Sequence, residues 1–372
     1  MTTHTAIVAI VGPTDPSPVL APTGIVAIHA PHKHQDSPVT IEPLRPTWRT
    51  TATSRGFVLP IIQATIIATS FVALLLLSTH SPQPRDLSVD LVNGSTTSEQ
   101  EQAQLDTTDE RSISLRTSTN LDDSLQRLRV NDTYAVVDLT GDAPTVHLAG
   151  ANGPTVNNTI VRIIDLADLG GGDQFVTVDH LPLGPDDAAG LPIFYLVFGV
   201  VLASYLFAIG SVNVGIGLTP TAHWASAAVF AVIAAGVTTT IASVGTGTVT
   251  TRHLHVALIL AAASFATSAA SALCLRVSRA WGTVIATVVL ITLGNASGGL
   301  LPGEFLPALV APFRNLLPMG IALTGIRDAT YFGGHDLARV IASLTIWALV
   351  SIALMRALAV RRNQTTPTQS AT

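Results

Sequence analysis

Four charged side chains, Glu304, Arg314, Arg327 and Asp328, stand in an otherwise apolar stretch that is repeatedly broken by proline. Charge placed in a segment apolar enough to enter a bilayer is costly, and it marks a candidate for contacting or gating a charged solute. The blander reading is anchoring at an interface, or pairing of Arg314 and Arg327 with Glu304 and Asp328, because long basic side chains reach water cheaply. Pro302, Pro307, Pro312 and Pro318 forbid a continuous helix here, and Gly298 and Gly299 mark where the preceding one breaks. Irregular backbone at membrane depth survives only where protein or water covers it. The spacing therefore predicts a re-entrant or interfacial hairpin over 301–334.

Other chemistries are weaker. Asn295-Ala-Ser-Gly298 is similar to the nucleophile motif of intramembrane serine proteases, but nothing in the sequence places a base beside Ser297. A Gly/Ser break ending a helix is the simpler reading, and no enzyme is expected. His29, His32, His34 and Asp36, and separately His253 and His255, lack the spacing of a defined metal site. The Asp pairs at 122–123 and 186–187 lack the D-x-D-x-D spacing of a calcium loop. The single lysine, Lys33, is followed by His34, so a G-x-x-x-x-G-K-[ST] phosphate loop is excluded. No metal and no cofactor are expected.

The elements that must position the four charges are membrane spans. Hydrophobic residues make up 48% of the chain and charged residues 12%, and no Asp, Glu, Lys or Arg occurs between residues 187 and 252. Since about 20 apolar residues cross a bilayer, the pattern predicts six transmembrane helices at 57–78, 192–213, 224–246, 254–275, 281–300 and 337–356. The first is an uncleaved anchor: its apolar run is too long for a signal peptide, and 77–80 is no cleavage site. Small residues crowd 261–272, which predicts close helix packing and a homodimer.

Between the first two helices lies an acidic segment, 79–190, with 18 acids against six arginines. Such a domain repels phosphate backbones, so nucleic acid is not a partner. Placing both termini in the cytoplasm collects Lys33, Arg45, Arg49, Arg55, Arg276, Arg279, Arg356, Arg361 and Arg362 on the inner side. The acidic domain then faces out from a plasma membrane, and a tail at 359–372 faces in. With Cys274 as its lone cysteine and that one in a helix, the chain offers the domain no disulfides.

Within the domain, alternation at 87–92 and 113–115 reads as strands. A helix capped by Asn120 carries Leu121, Leu125 and Leu128 on one face. Strands follow at 134–139, 145–148 and 174–183, while 156–169 fits either period. The domain is expected to be a small α/β fold with a mixed sheet. Prolines at 13, 16, 18, 22, 31, 38, 43 and 46 make 1–55 a disordered cytoplasmic tail.

The run Gly298-Gly299, Pro302, Leu306-Pro307, Phe313-Arg314, Leu316-Leu317-Pro318, Ile326-Arg327 resembles the outer hairpin before the last helix of type-two ABC exporter permeases. More specifically it is similar to their phage-infection-protein branch, common in actinobacteria and other Gram-positives. Residues 178–195 resemble the segment that leads that branch's ectodomain into its second helix. The resemblance covers roughly 55–360 and implies one helix, an ectodomain, then a five-helix membrane domain at 191–358. It implies putting an unknown substrate across the membrane. The loop at 214–223 is short and uncharged, unlike the coupling helices that such permeases offer a separate ATPase subunit. The alternative is a non-transporting envelope protein whose ectodomain docks cell-wall, secretion-system or phage partners.

Overall fold

The computed structural model describes residues 55–79, 84–92, 113–141, 143–166, 175–184, 187, 190–214, 219–278, 280–299 and 301–365. The tail read at 1–55 lies almost wholly outside the described residues. Helix α1 (Arg55–Thr79) precedes a five-stranded sheet: β1 (Leu87–Val92), β2 (Ile113–Ser118), β3 (Ala135–Asp138), β4 (Thr145–Leu148) and β5 (Val176–Asp179). Helices α2 (Leu121–Arg129) and α3 (Pro154–Leu166) cross between strands. Then come α4 (Pro192–Val214), α5 (Pro220–Thr240, continued by a π turn over Ile241–Gly245), α6 (His253–Val277), α7 (Gly282–Gly298), α8 (Ala311–Leu316), α9 (Pro318–Tyr331) and α10 (Leu337–Thr365).

Five helices, α1 before the sheet and α4, α5, α6 and α10 after it, are long and apolar enough to cross a bilayer. This is a multi-pass helical membrane protein. Its centre is α6, with 61% of its most apolar window buried against 6% for α1, which packs at the edge. The alanine and serine run explains why α6 is central. Small side chains let α4 approach until the Ser204 hydroxyl donates to Ser264 Oγ at 2.8 Å and Ser268 donates to the Ser204 carbonyl at 3.3 Å. Helix α10 continues to Thr365, past the end at 356 that hydropathy suggests, because its last turns carry Arg356 and Arg361 and no longer read as apolar.

The sheet is mixed, in the order β2-β1-β3-β4-β5, antiparallel only between β3 and β4. Strand period assigns its faces. Leu87, Val89, Leu91, Ala135, Val137 and Val146 meet Val156, Ile160 and Ile164 of α3, which decides the ambiguous stretch as helix through Leu166, with 167–169 outside the described residues. Val92 and Val136 meet Leu128 of α2 on the other face. That helix begins where Asn120 accepts the Asp122 N–H at 3.0 Å.

Asp90 also points toward α2 and is fully buried, held by Arg127 Nε at 2.7 Å. Removing the guanidinium alone leaves a buried carboxylate without its counter-charge. Arg127→Met is therefore expected to cost about 3–5 kcal/mol, while the double change with Asp90→Leu should recover most of it. Thermal unfolding of wild type and the two variants checks this, and equal losses in the single and double variants would refute it.

Candidate functional site

The proline-broken segment folds back into the bundle. Gly298 ends α7 against the start of α9, where a Cβ on Gly298 would lie 2.9 Å from Gly320 Cα, so the two backbones touch. A Cβ on Gly299 would come to 2.7 Å from the Asn295 carbonyl oxygen. Pro302 leads into a 3-10 turn over Gly303–Phe305, and the Pro307 carbonyl accepts from Val310 and Ala311 to start α8. Pro318 stands at the first turn of α9, where its missing N–H costs nothing.

The depth of this hairpin follows from one hydrogen bond. Trp347 Nε1 donates to the Leu316 carbonyl at 2.6 Å. Trp347 is ten residues into α10, so the turn between α8 and α9 lies about 15 Å along that helix. Helix α9 then rises beside α6 and α10, with nine of its 14 residues buried, and is followed by Phe332 against the sheet.

Both arms of the hairpin grip the α/β domain. Phe305, 2% exposed, belongs to the sheet core on the α3 face. Phe332 belongs to the core on the α2 face. Arg85, just before β1, donates to the Leu306 carbonyl at 3.0 Å, and the Tyr134 hydroxyl, just before β3, donates to Glu304 at 2.7 Å. Burial, with the Glu304 charge beside it, pushes the Tyr134 phenol far above its ordinary range and keeps it a donor.

Between domain and hairpin lies a cavity of about 200 Å3, lined among others by Tyr134, Asn152, Arg314, Thr324, Arg327 and Asp328. Three of the four charges named from sequence thus share one cavity, and Glu304 lies beside it through Tyr134. Their pairing differs from the expectation. Arg314 donates to the Leu301 carbonyl at 2.5 Å, Glu304 accepts from Tyr134, and Asp328 accepts the Asp336 N–H at 2.9 Å. Among the described residues Arg327 has no ion pair or hydrogen bond. The expected Arg–carboxylate pairs are absent, since no oxygen of Glu304 or Asp328 lies within ion-pair distance of Arg314 or Arg327. Arg339, also lining the cavity, pairs with Asp336.

Tyr134, Asn152, Thr324 and Arg339 were not legible as site residues. The first two lie in the acidic domain, about 170 residues from the hairpin (Tyr134 to Glu304). Ser297 is buried and donates to the Leu293 carbonyl one turn back at 2.7 Å, which suits a helix break. No known family model matches the chain, and no curated protein matches it either.

A titratable pair sits apart from the cavity, where His147 Nδ1 and His180 Nε2 are 2.9 Å apart. Burial lowers the pKa of both rings from 6.5, helped by His180 at His147 and by Arg129 at His180. The unfolded chain therefore binds more protons than the folded one just below pH 6.5, and stability present above that pH is lost as pH falls. The melting temperature is expected to drop from pH 7.5 to 5.5, by less than about 1.4 kcal/mol of stability per pH unit and per proton. His180→Gln should flatten the profile, and an unchanged slope would count against the pair.

Proposed function

We propose that this membrane protein is a permease-like export component in which the α/β domain is a cap on the bundle. The reading takes the type-two exporter resemblance as its frame and acts through the hairpin. One observation carries it: Phe305, a hairpin residue, lies in the hydrophobic core of the sheet. A domain that merely hung from the membrane would complete its own core. This one shares its core with the segment inserted into the bundle, so movement of either must move the other.

Helix α7 serves as a sixth crossing in this reading. Its 17 residues extend about 25 Å, from Gly282 packed on the backbone of Cys274 to Gly299 beside Phe194 at the start of α4. With an even number of crossings the start of α1 and the end of α10 fall on the side away from the domain, and the basic residues collected there by the charge bias support the cytoplasm as that side. Reporter fusions at Gly141 and Arg362 test this, with Gly141 expected outside; a cytoplasmic Gly141 would reverse the assignment.

The functional test locks the cap. Tyr134→Cys with Glu304→Cys replaces the hydrogen bond by two thiols too far apart for a direct disulfide, which a bis-methanethiosulfonate reagent of matching spacer length joins through two reducible mixed disulfides. Mass spectrometry of the culture medium compares cells with wild type, locked and reduced protein. At least one ion is expected to accumulate outside with wild type, to fall on locking and to return with reductant. Identical profiles in all three states would sink the permease reading. A docking role for the domain would then gain weight, favoured by edge strand β5, whose Val176 and Val178 are exposed. Native-membrane copurification would report a separate ATPase or a homodimer in the same experiment.

A further inference from the structure

We propose that the cavity between cap and hairpin binds a phosphate group, held by Arg327 and Arg314 with Asn152 and Thr324. The proposal deepens the permease reading by naming a ligand class for the place where cap and hairpin meet. It is assayed without flux, so either can fail alone.

Charge arrangement is the first argument. Arg314, Arg327 and Arg339 line the cavity together with Asp328 and Asp336. Arg339 is neutralised by Asp336, and one Asp328 oxygen is occupied by the Asp336 N–H. Arg314 spends one N–H on the Leu301 carbonyl, which carries no formal charge. Two guanidinium groups thus converge on one space without an ion pair among the described residues. Like charges held together in a low-dielectric setting repel, and an anion between them relieves that repulsion.

Orphaned polar atoms supply the second argument. Asn152 is 6% exposed, and its buried Nδ2 has no hydrogen-bond partner. Thr324 Oγ1 is likewise buried and unpartnered. Both residues line the same cavity as Arg327. Buried polar groups are nearly always satisfied in folded proteins, so two orphans beside an unpaired cation point to a missing acceptor. The donors outnumber what a chloride or a carboxylate accepts well. A phosphate offers several oxygens, and the planar guanidinium fork matches it in two-bond geometry.

The phosphate has two possible sources, free in solution or on a lipid. Leu301, whose carbonyl holds Arg314, also lines an apolar cavity of about 260 Å3 with Leu75, Phe194 and Leu306. Pro302, the next residue, lines the polar one. Headgroup and acyl chain would therefore find adjacent spaces. The competing partner for Arg327 is Asp187, which stands beyond ion-pair distance and accepts the Gly190 and Leu191 N–H groups. Asp187 Oδ2 is buried and free of a hydrogen bond, so closure of this pair is the rival outcome.

The experiment uses the purified full chain in detergent. Inorganic phosphate and, separately, dihexanoyl phosphatidylglycerol are titrated at constant ionic strength while the melting temperature is followed, with acetate as the carboxylate control. A saturable rise is expected with a phosphate-bearing probe, weakened at least ten-fold in Arg327→Gln and several-fold in Thr324→Val. Arg116→Gln, on the exposed face of the domain, should bind as wild type does. Tighter binding of the lipid by ten-fold or more assigns a headgroup, and equal or weaker binding assigns a soluble phosphate. Should Arg327→Gln fail to fold, Arg327→Lys keeps the charge, loses the fork, and is expected to weaken binding several-fold. The proposal is overturned if neither probe binds saturably, if acetate binds as tightly, or if no Arg327 variant changes affinity. It is also overturned if Arg327→Gln and Asp187→Asn lower the ligand-free melting temperature equally, since the guanidinium then closes on Asp187.

Discussion

Phe305→Ala is expected to destabilise the protein by about 3–5 kcal/mol, the usual cost of emptying a buried phenylalanine site, and to release the α/β domain from the hairpin. The ring is 2% exposed and lies among the β1, β3 and α3 side chains, far in sequence from all of them. Truncation leaves a cavity in the sheet core and removes one of the two buried hairpin rings that join cap and bundle, leaving Phe332 on the α2 face. Tyr134–Glu304 and Arg85–Leu306 remain, but hydrogen bonds net only about 1 kcal/mol each in water-accessible settings. Thermal unfolding should therefore split into two transitions, and limited proteolysis should cut between bundle and domain. Leu309→Ala on the same hairpin, where the side chain is 73% exposed, is the control and should change little. A single cooperative transition in Phe305→Ala, shifted no more than in Leu309→Ala, would contradict the capped arrangement.

The second large effect is expected at Gly320. A Cβ there would fall inside the Arg314 carbonyl oxygen, and that oxygen belongs to backbone that cannot swing aside. Gly320→Ala should cost about 3 kcal/mol, at the upper end for overpacking. It should also displace α8 and with it Arg314 from the Leu301 carbonyl. Gly303 provides the internal comparison. A Cβ at Gly303 would meet the flexible Arg314 Cδ at 3.5 Å, an ordinary contact, so Gly303→Ala should be tolerated. The readout is the melting temperature together with emission from Trp347 in a background where Trp48, Trp224 and Trp281 are replaced by Phe, since its indole N–H is held by the Leu316 carbonyl at the hairpin tip. Unshifted emission and stability in Gly320→Ala would mean that the hairpin does not seat as described.

Much of the architecture was legible because each part answers to a local rule. Alternation at Leu87, Val89 and Leu91 marks a strand whatever surrounds it, and Asn120 caps a helix through its own side chain. Hydropathy marks the long helices, since bilayer thickness sets their length. The 156–169 stretch was ambiguous for the opposite reason. Its apolar residues satisfy two periods, and only the apolar face of the sheet selects the helix that presents Val156, Ile160 and Ile164 together.

The candidate site was half legible. Glu304, Arg314, Arg327 and Asp328 stood out as charges in an apolar run, yet their partners could not be read. Pairing depends on where side chains end after folding, and Glu304 finds a phenol in another domain while Arg314 finds a carbonyl thirteen residues away.

By itself, then, the sequence determined that the chain crosses the membrane several times and interposes an acidic α/β fold after the first helix. It also determined that the backbone breaks at the proline-rich segment near the last one. Those properties rest on hydropathy, periodicity and ring closure at proline, which act over a few residues. Only the tertiary structure decided that the broken segment inserts beside α10 and lends Phe305 to the sheet. The same holds for the unpaired Arg327 in a cavity with Asn152 and Thr324. Contacts between residues so distant are selected by the packing of the whole chain, because no local preference distinguishes one buried partner from another.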